Sequence, residues 1–185
     1  MKELSLNILD IAENSVRAGA NLTSITINED DEVIKVTISD DGCGMTEEVL
    51  RNVTDPFCTT RTTRKVGLGI PLLKLAAEQT GGEVTIVSRH ESEYPDTHGT
   101  TTSATFFKNH IDMTPLGDIN ATVVTLIQCN PHIDFLFTHH FGGKTVSLDT
   151  RELREVLGDV PLNTLEVIMW IKENLNEQYN GENNS

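Results

Sequence analysis

Between Asn21 and Asp41 the chain reads NLTSITINEDDEVIKVTISDD. Ile25 and Ile27 alternate with Thr and Asn, and Ile34, Val36 and Ile38 alternate with Lys, Thr and Ser. A period of two puts those five apolar side chains on one face of extended chain. The break between the runs is Glu29-Asp30-Asp31-Glu32, a polar turn. The pattern predicts an antiparallel hairpin with one buried face, which some other part of the chain must cover.

Two stretches offer that cover. Residues Lys2 to Ala18 place Leu4, Ile8, Ile11, Ala12 and Ser15 on a 3.6-residue period and stop at Gly19, a C-cap residue. Gly69 to Thr80 reads as a second helix, with Pro71 in its first turn and Gly81-Gly82 as the stop. A short helix from Thr46 to Asn52 would be capped by Thr46. Strands are predicted over Glu83 to Arg89 and Thr100 to Phe107, joined by a polar loop ending in His98-Gly99. Asp55 to Val66 has no periodicity and reads as a loop rich in Thr and Arg. After Pro115, strands are expected at Thr122 to Gln128 and Ile133 to His139 around Asn130-Pro131, then helices at Thr150 to Leu157 and Leu162 to Tyr179. Leu153, Val156, Leu157, Val167, Ile168, Ile171 and Trp170 are expected in the core of that part. His139-His140 read as plain strand residues, because neighbours on a strand face opposite ways.

Composition narrows the function classes. The 185 residues favour one domain, or one domain plus an appendage. No run approaches the ~20 apolar residues that span a membrane. Glu3, Asn7 and Asp10 interrupt the first apolar stretch, so no signal peptide and no membrane partner are expected. Cys43, Cys58 and Cys129 have no metal-binding spacing and cannot all pair, which predicts a reduced, cytoplasmic protein. A net charge of -14 argues against a nucleic-acid partner, which needs a basic stripe. Against that background, Arg51, Arg61, Arg64, Lys65 and Lys74 share a segment whose only acidic residue is Asp55. A local cationic patch on an acidic chain points to a small polyanionic ligand.

Three elements carry the chemistry. Asn7, Asp10, Asn14 and Arg17 recur at spacings of three and four, forming a polar stripe beside the apolar face of the first helix; a solvated helix side has the same appearance. Asp40-Asp41-Gly42-Cys43-Gly44 ends a buried strand on carboxylates followed by glycines. A carboxylate there can accept from an exocyclic amine, and the glycines let the backbone approach a ring, although Asp-Asp-Gly is also ordinary turn chemistry. Gly67-Leu68-Gly69 opens a helix, whose free amides and dipole suit an anion. It is neither a Walker A loop nor a full G-x-G-x-x-G.

The order of these motifs resembles the GHKL ATPases, the superfamily of gyrase B, heat-shock chaperones, sensor histidine kinases and MutL-type repair proteins. "ENSVRAGA" is similar to the MutL form of the Asn-bearing helix, and "DPFCTTRTTRKVGLGI" to the histidine-kinase lid; the resemblance runs from Leu4 to about Phe107. It implies an α/β fold: a two-layer sandwich (the Bergerat fold) with a mixed, mostly antiparallel sheet and helices on one face. Residues 1–115 would be a histidine-kinase-like ATP-binding domain, 116–179 a small α/β appendage of two strands and two helices, and 180–185 a frayed tail. The implied ligands are ATP and Mg²⁺. Asn14 would ligate Mg²⁺ through its side-chain carbonyl. Asp40 would read adenine N6 with Thr100 supporting the same edge, while Gly42 and Gly44 let the base pack close. Phe57 would anchor the lid alongside Thr59 and Thr60, and Gly67, Leu68 and Gly69 would bring amides to the phosphates. Arg17, Arg61, Arg64 and Lys65 would neutralise phosphate charge.

Two departures bear on activity. Hydrolytic members carry Glu four residues before the Asn, where this chain has Asp10, one methylene shorter; Asp10 would act as general base or water orienter, with slow hydrolysis or none. Lys65 stands where histidine kinases often have a further glycine. The chain begins just before its Asn-bearing helix, so no upstream phosphoacceptor helix is expected, and none of the six histidines reads as an acceptor. Three readings remain open: phosphotransfer to, or regulation of, a partner protein; a slow ATPase with a cycling lid; and a non-catalytic nucleotide sensor.

Overall fold

A computed structural model describes residues 3–55 and 68–181. Phe57, Cys58, Thr59, Thr60, Arg61, Arg64, Lys65 and Gly67, and the tail residues 182–185, for which the sequence sets expectations, lie outside the described residues. In chain order the elements are α1 (Leu4–Arg17), β1 (Leu22–Glu29), β2 (Val33–Asp40), α2 (Glu47–Asn52), α3 (Gly69–Gln79), β3 (Val84–Arg89), β4 (Gly99–Phe107), α4 (Ile119–Cys129), β5 (Asp134–Phe141), β6 (Lys144–Asp149), α5 (Thr150–Leu157) and α6 (Leu165–Asn180).

The six strands form one sheet in the order β3-β4-β2-β1-β5-β6. Every neighbouring pair is antiparallel except β1 and β5. The predicted hairpin is β1–β2, with Ile25 opposite Ile38 and Ile27 opposite Val36. Helices α3, α1, α4 and α6 lie side by side in contact, and α1, α3, α4 and α6 each touch strands of the sheet. This is the expected two-layer sandwich with a mixed, mostly antiparallel sheet. The core sits between the layers: Ile25, Ile27, Val36, Ile38, Phe106, Phe135 and Phe137 from the sheet against Leu4, Ile8, Ile11, Leu73, Ile127 and Ile171 from the helices, all buried. Fully burying one such side chain is worth about 1.5–3 kcal/mol. The first amides of α1 have no side-chain cap. Leu4 and Ser5 instead donate to the carbonyls of Pro115 and Leu116 at 2.9 and 2.8 Å, so the segment after β4 caps the first helix.

The opposite face of the sheet is paved with hydroxyls. Thr85, Ser103, Thr37, Thr26, Thr138 and Ser147 stand in register, one on each strand. Thr37 pairs with Ser103 at 3.2 Å, and Ser39 with Thr101 in the next row at 2.8 Å. Small β-branched hydroxyl residues suit a pleated, solvated surface.

Past residue 115 three expectations are corrected. The run Thr122 to Gln128, expected as a strand, belongs to helix α4. Its buried residues Ile119, Thr122, Val123, Leu126 and Ile127 follow the 3.6 period, and Asp118 caps it by accepting from the Ala121 amide at 2.9 Å. The β-branched content favoured a strand, but burial between α1 and α6 decided the matter. Segment 116–179 thus holds three helices with two strands, the second being β6, and both strands extend the main sheet. Val156 and Trp170 are not in the core. They are 86% and 49% exposed, whereas Val167, Ile168 and Ile171 are buried as expected.

His139 and His140 are strand residues of β5 facing opposite ways, as expected, and His139 is the buried one. It lies on the helix-covered face, 3% exposed, between Glu29 Oε2 at 3.2 Å and the Tyr179 hydroxyl at 2.7 Å. Lys108 Nζ donates to the other oxygen of Glu29 at 2.8 Å. Among the described residues no three His, Cys, Asp or Glu side chains form a group able to hold a metal.

Candidate functional site

β2 carries its inward parity through Ile34, Val36 and Ile38 to Asp40, so the strand ends with a carboxylate on the helix-covered face. Asp40 stands opposite Thr23 of β1 and Thr100 of β4. Ser15 of α1 donates its hydroxyl to Asp40 Oδ2 at 2.6 Å, and the Gly42 amide donates to Oδ1 at 2.9 Å. Both carboxylate oxygens are thereby oriented, and each keeps further acceptor capacity. Asp41 does something else: its Oδ1 accepts from the amides of Asn21 and Leu22 at 2.7 and 3.0 Å, tying the turn to the start of β1. The Thr23 hydroxyl is fully buried with no partner among the described residues, an uncommon condition that leaves a second polar group beside Asp40.

The glycines explain how close the surrounding chains come. A Cβ on Gly44, at φ +71°, would lie 1.9 Å from the Arg89 carbonyl oxygen; one on Gly99, at φ +143°, would lie 2.0 Å from the Asp40 carbonyl. The end of β2, the end of β3 and the start of β4 therefore meet backbone to backbone. Thr100 Oγ1 pairs with Ser88 Oγ at 2.7 Å, and Ser88 also accepts from the Met45 amide at 2.7 Å. Cys43 is half-buried; its amide donates to the Ala18 carbonyl at 2.9 Å.

The third side is the start of α3. A Cβ on Gly69 would sit 3.2 Å from Asp10 Cβ and 3.8 Å from Asn14 Nδ2, so the positive end of α3 abuts the polar stripe of α1. Among the described residues no side chain caps that end, the kind of helix start whose amides suit an anion. Leu68, just before it, is 54% exposed. Arg17 Nη1 donates to Asn14 Oδ1 at 3.1 Å. That oxygen is a hard, neutral donor of the kind Mg²⁺ accepts when phosphates and water complete its shell. Asp10 and Arg17 are exposed beside it, while Asn7, placed on the same stripe by spacing, is buried at 2%.

Asp10, Asn14, Arg17, Asp40, Gly42, Gly44, Leu68, Gly69 and Thr100 thus gather at one end of the sheet, between α1, the 40–44 turn, the β3–β4 connection and the start of α3. The sequence reading missed Ser15 and His98. Ser15 was counted with the apolar face, where a hydroxyl among Leu, Ile and Ala was itself the signal. His98 Nδ1 lies 2.5 Å from the Gly42 carbonyl.

The family model described as histidine kinase-, DNA gyrase B-, and HSP90-like ATPase matches residues 2–110, which hold every one of these positions. The chain belongs to this ATPase family. Sporulation kinases E and A of Bacillus subtilis are each 31% identical to it, over 88 and 91 residues. Those stretches are 48% and 49% of this chain but only 12% and 15% of the kinases, so the chain spans a small part of their length. Two solved structures cover more. The N-terminal domain of a DNA repair protein superposes with TM-score 0.57 at 16% identity, covering 80% of this chain and 53% of that one. The Aquifex aeolicus MutL ATPase domain complexed with ADP gives 0.52 at 16%, covering 84% and 69%. At that identity the likeness is one of fold, and its coverage reaches beyond residue 110 of this chain. No helix of the described residues is long and apolar enough to cross a membrane.

Proposed function

We propose that the protein binds ATP with Mg²⁺ at this end of the sheet and uses it to phosphorylate, or to regulate, a partner protein. The observation that carries the reading is the Asp40 carboxylate, oriented by Ser15 and the Gly42 amide at a glycine-lined strand end. In that setting Asp40 accepts from the exocyclic amine of adenine, and Thr100 supports the same edge. Gly42 and Gly44 let Ala18 and the Arg89 backbone pack close behind the turn that the base lies against. Asn14 Oδ1 holds the metal, which supplies charge neutralisation at the phosphates. Arg17, released from Asn14, and the amides opening α3 at Gly69 bind phosphate oxygens; Gly67 and Leu68 add backbone, and Arg61, Arg64 and Lys65 extend the same cationic run. Phe57, Thr59 and Thr60 belong to the lid sequence that supports phosphotransfer, as does the identity with sporulation kinases. Transfer breaks the bond between the γ-phosphorus and its bridging oxygen and forms one to a partner side chain, which loses a proton as ADP leaves.

A hydrolytic reading has its own support, because Asp10 lies against Gly69, at the phosphate end of the site. There it would orient a water as general base.

Calorimetric titration with ATP, with and without Mg²⁺, tests the binding claim. Asp40→Asn is expected to weaken binding under both conditions, and Asn14→Ala only its Mg²⁺-dependent part. Wild-type protein that takes up no adenine nucleotide would sink the proposal. Labelled phosphate on a second protein then separates transfer from hydrolysis, in which Asp10→Ala stops phosphate release with binding intact.

A further inference from the structure

The 40–44 turn is held from the β3–β4 connection as well as from α1. The Glu91 amide donates to the Cys43 carbonyl at 2.9 Å, and Arg89 packs its carbonyl where Gly44 lacks a side chain. The connection is itself ordered by local bonds: Tyr94 and Glu93 donate to the His90 carbonyl at 2.9 and 3.1 Å, the Ser92 amide donates to His90 Nδ1 at 3.2 Å, and the Arg89 guanidinium lies over the Tyr94 ring. From its far end His98 reaches the Gly42 carbonyl through Nδ1 at 2.5 Å. Gly42 is buried, and a buried carbonyl left without a donor is costly.

Gly42 is also the residue whose amide orients Asp40. Its two flanking peptide groups are therefore pinned in opposite directions, the carbonyl by His98 and the amide by Asp40. The peptide after Gly42 is held from both sides, its carbonyl by His98 and its N–H, that of Cys43, by the Ala18 carbonyl at 2.9 Å. Without His98 only the second hold remains, and the turn carrying the amide that aims the carboxylate is held less firmly. We propose that His98 is a positioning residue for the nucleotide base: it fixes the turn that presents Asp40 without touching the phosphate end of the site. This rests on the reading of Asp40 as the base-recognising group. In this bond Nδ1–H is the donor and the Gly42 carbonyl the acceptor.

Titrations with ATP and with tripolyphosphate, which has no base, separate this role from general folding. His98→Ala is expected to weaken ATP binding about tenfold and leave tripolyphosphate binding unchanged. His98→Asn, whose amide nitrogen takes the place of Nδ1, should recover most of the loss. Amide exchange over residues 42–45 should quicken in the ligand-free His98→Ala protein and not in His98→Asn. Unchanged ATP affinity in His98→Ala overturns the role of His98 alone, as does an equal loss for both ligands. A wild-type protein that binds tripolyphosphate but not ATP overturns the base-recognition reading and the role of His98 together.

Discussion

Gly44 and Gly19 both hold positive φ, +71° and +74°, but only Gly44 is crowded: nothing lies within 4 Å of a Cβ on Gly19. Alanine at Gly19 meets only the cost of the left-handed backbone, about 1–2 kcal/mol. Alanine at Gly44 meets that and the Arg89 carbonyl at 1.9 Å, which must move with the end of β3. Urea unfolding should show Gly44→Ala losing clearly more than Gly19→Ala, by about 1–3 kcal/mol on the scale of an overpacked site, and only Gly44→Ala should also lose nucleotide binding. Asp40 and its glycines were legible in the sequence because strand alternation fixes which way a carboxylate at a strand end faces. Ser15 and Thr23 fall on the buried periods of α1 and β1, but neither they nor His98 reveal what they face, because Asp40 lies 25 and 17 positions away and Gly42 lies 56 away in the chain.

Elements were legible where one period dominated. The β1–β2 hairpin, α1 and α3 have a single buried face and a clear stop. Helix α4 also has one exposed face, but Ala121, Thr125, Gln128 and Cys129 make it only weakly polar, and Thr, Val and Ile bias the run toward extended chain. Strand β6 escaped because it is short and exposed along one side. Its outer edge is closed in a way no local pattern shows. The Gln178 side chain on α6 accepts from the Ser147 amide and donates to the Ser147 carbonyl, both at 2.9 Å, standing in for a next strand. Gln178→Ala should cost less than about 1 kcal/mol, since water reaches the freed groups. It should raise self-association at high concentration in sedimentation velocity, because an unguarded edge pairs with other chains. Unchanged sedimentation would show that Gln178 does not guard the edge.

At the scale of the whole molecule, one polar pin joins the two ends of the chain. Glu29 ends β1, Lys108 follows β4, His139 lies on β5 and Tyr179 on α6. Burial lowers the pKa of His139 although Glu29 pulls it up, and burial pushes that of Tyr179 well up, so the imidazole is neutral and the phenol keeps its proton. The phenol then donates to Nδ1, and Nε2–H donates to Glu29. Burial alone would raise the Glu29 pKa, but hydrogen bonds from Lys108 and His139 outweigh it and hold the carboxyl below its usual range. A histidine with a lowered folded pKa stabilises the fold above its unfolded value near 6.5, and that stability is lost as pH falls below it. The lowered Glu29 adds a second loss in the same direction below about 4.5. Stability from denaturant unfolding should therefore fall from pH 7.5 to 5, and His139→Gln should flatten that limb while lowering the plateau. A His139→Gln protein as acid-sensitive as the wild type would place the titration elsewhere.

The parallel pairing of β1 with β5 sets a timetable. Leu22 finds its partner only when Asp134 has been made. At about 5–20 residues per second the ribosome leaves one side of the central strand without its neighbour for roughly ten seconds. Only in the last part of that interval, once Thr100 has been made, does the emerging chain carry every residue of the candidate site but not the strand that completes its sheet. A ligand that closes the site early would give the nascent chain an ordered half to wait on, and nucleotide supply would then influence how much of the protein reaches its final form.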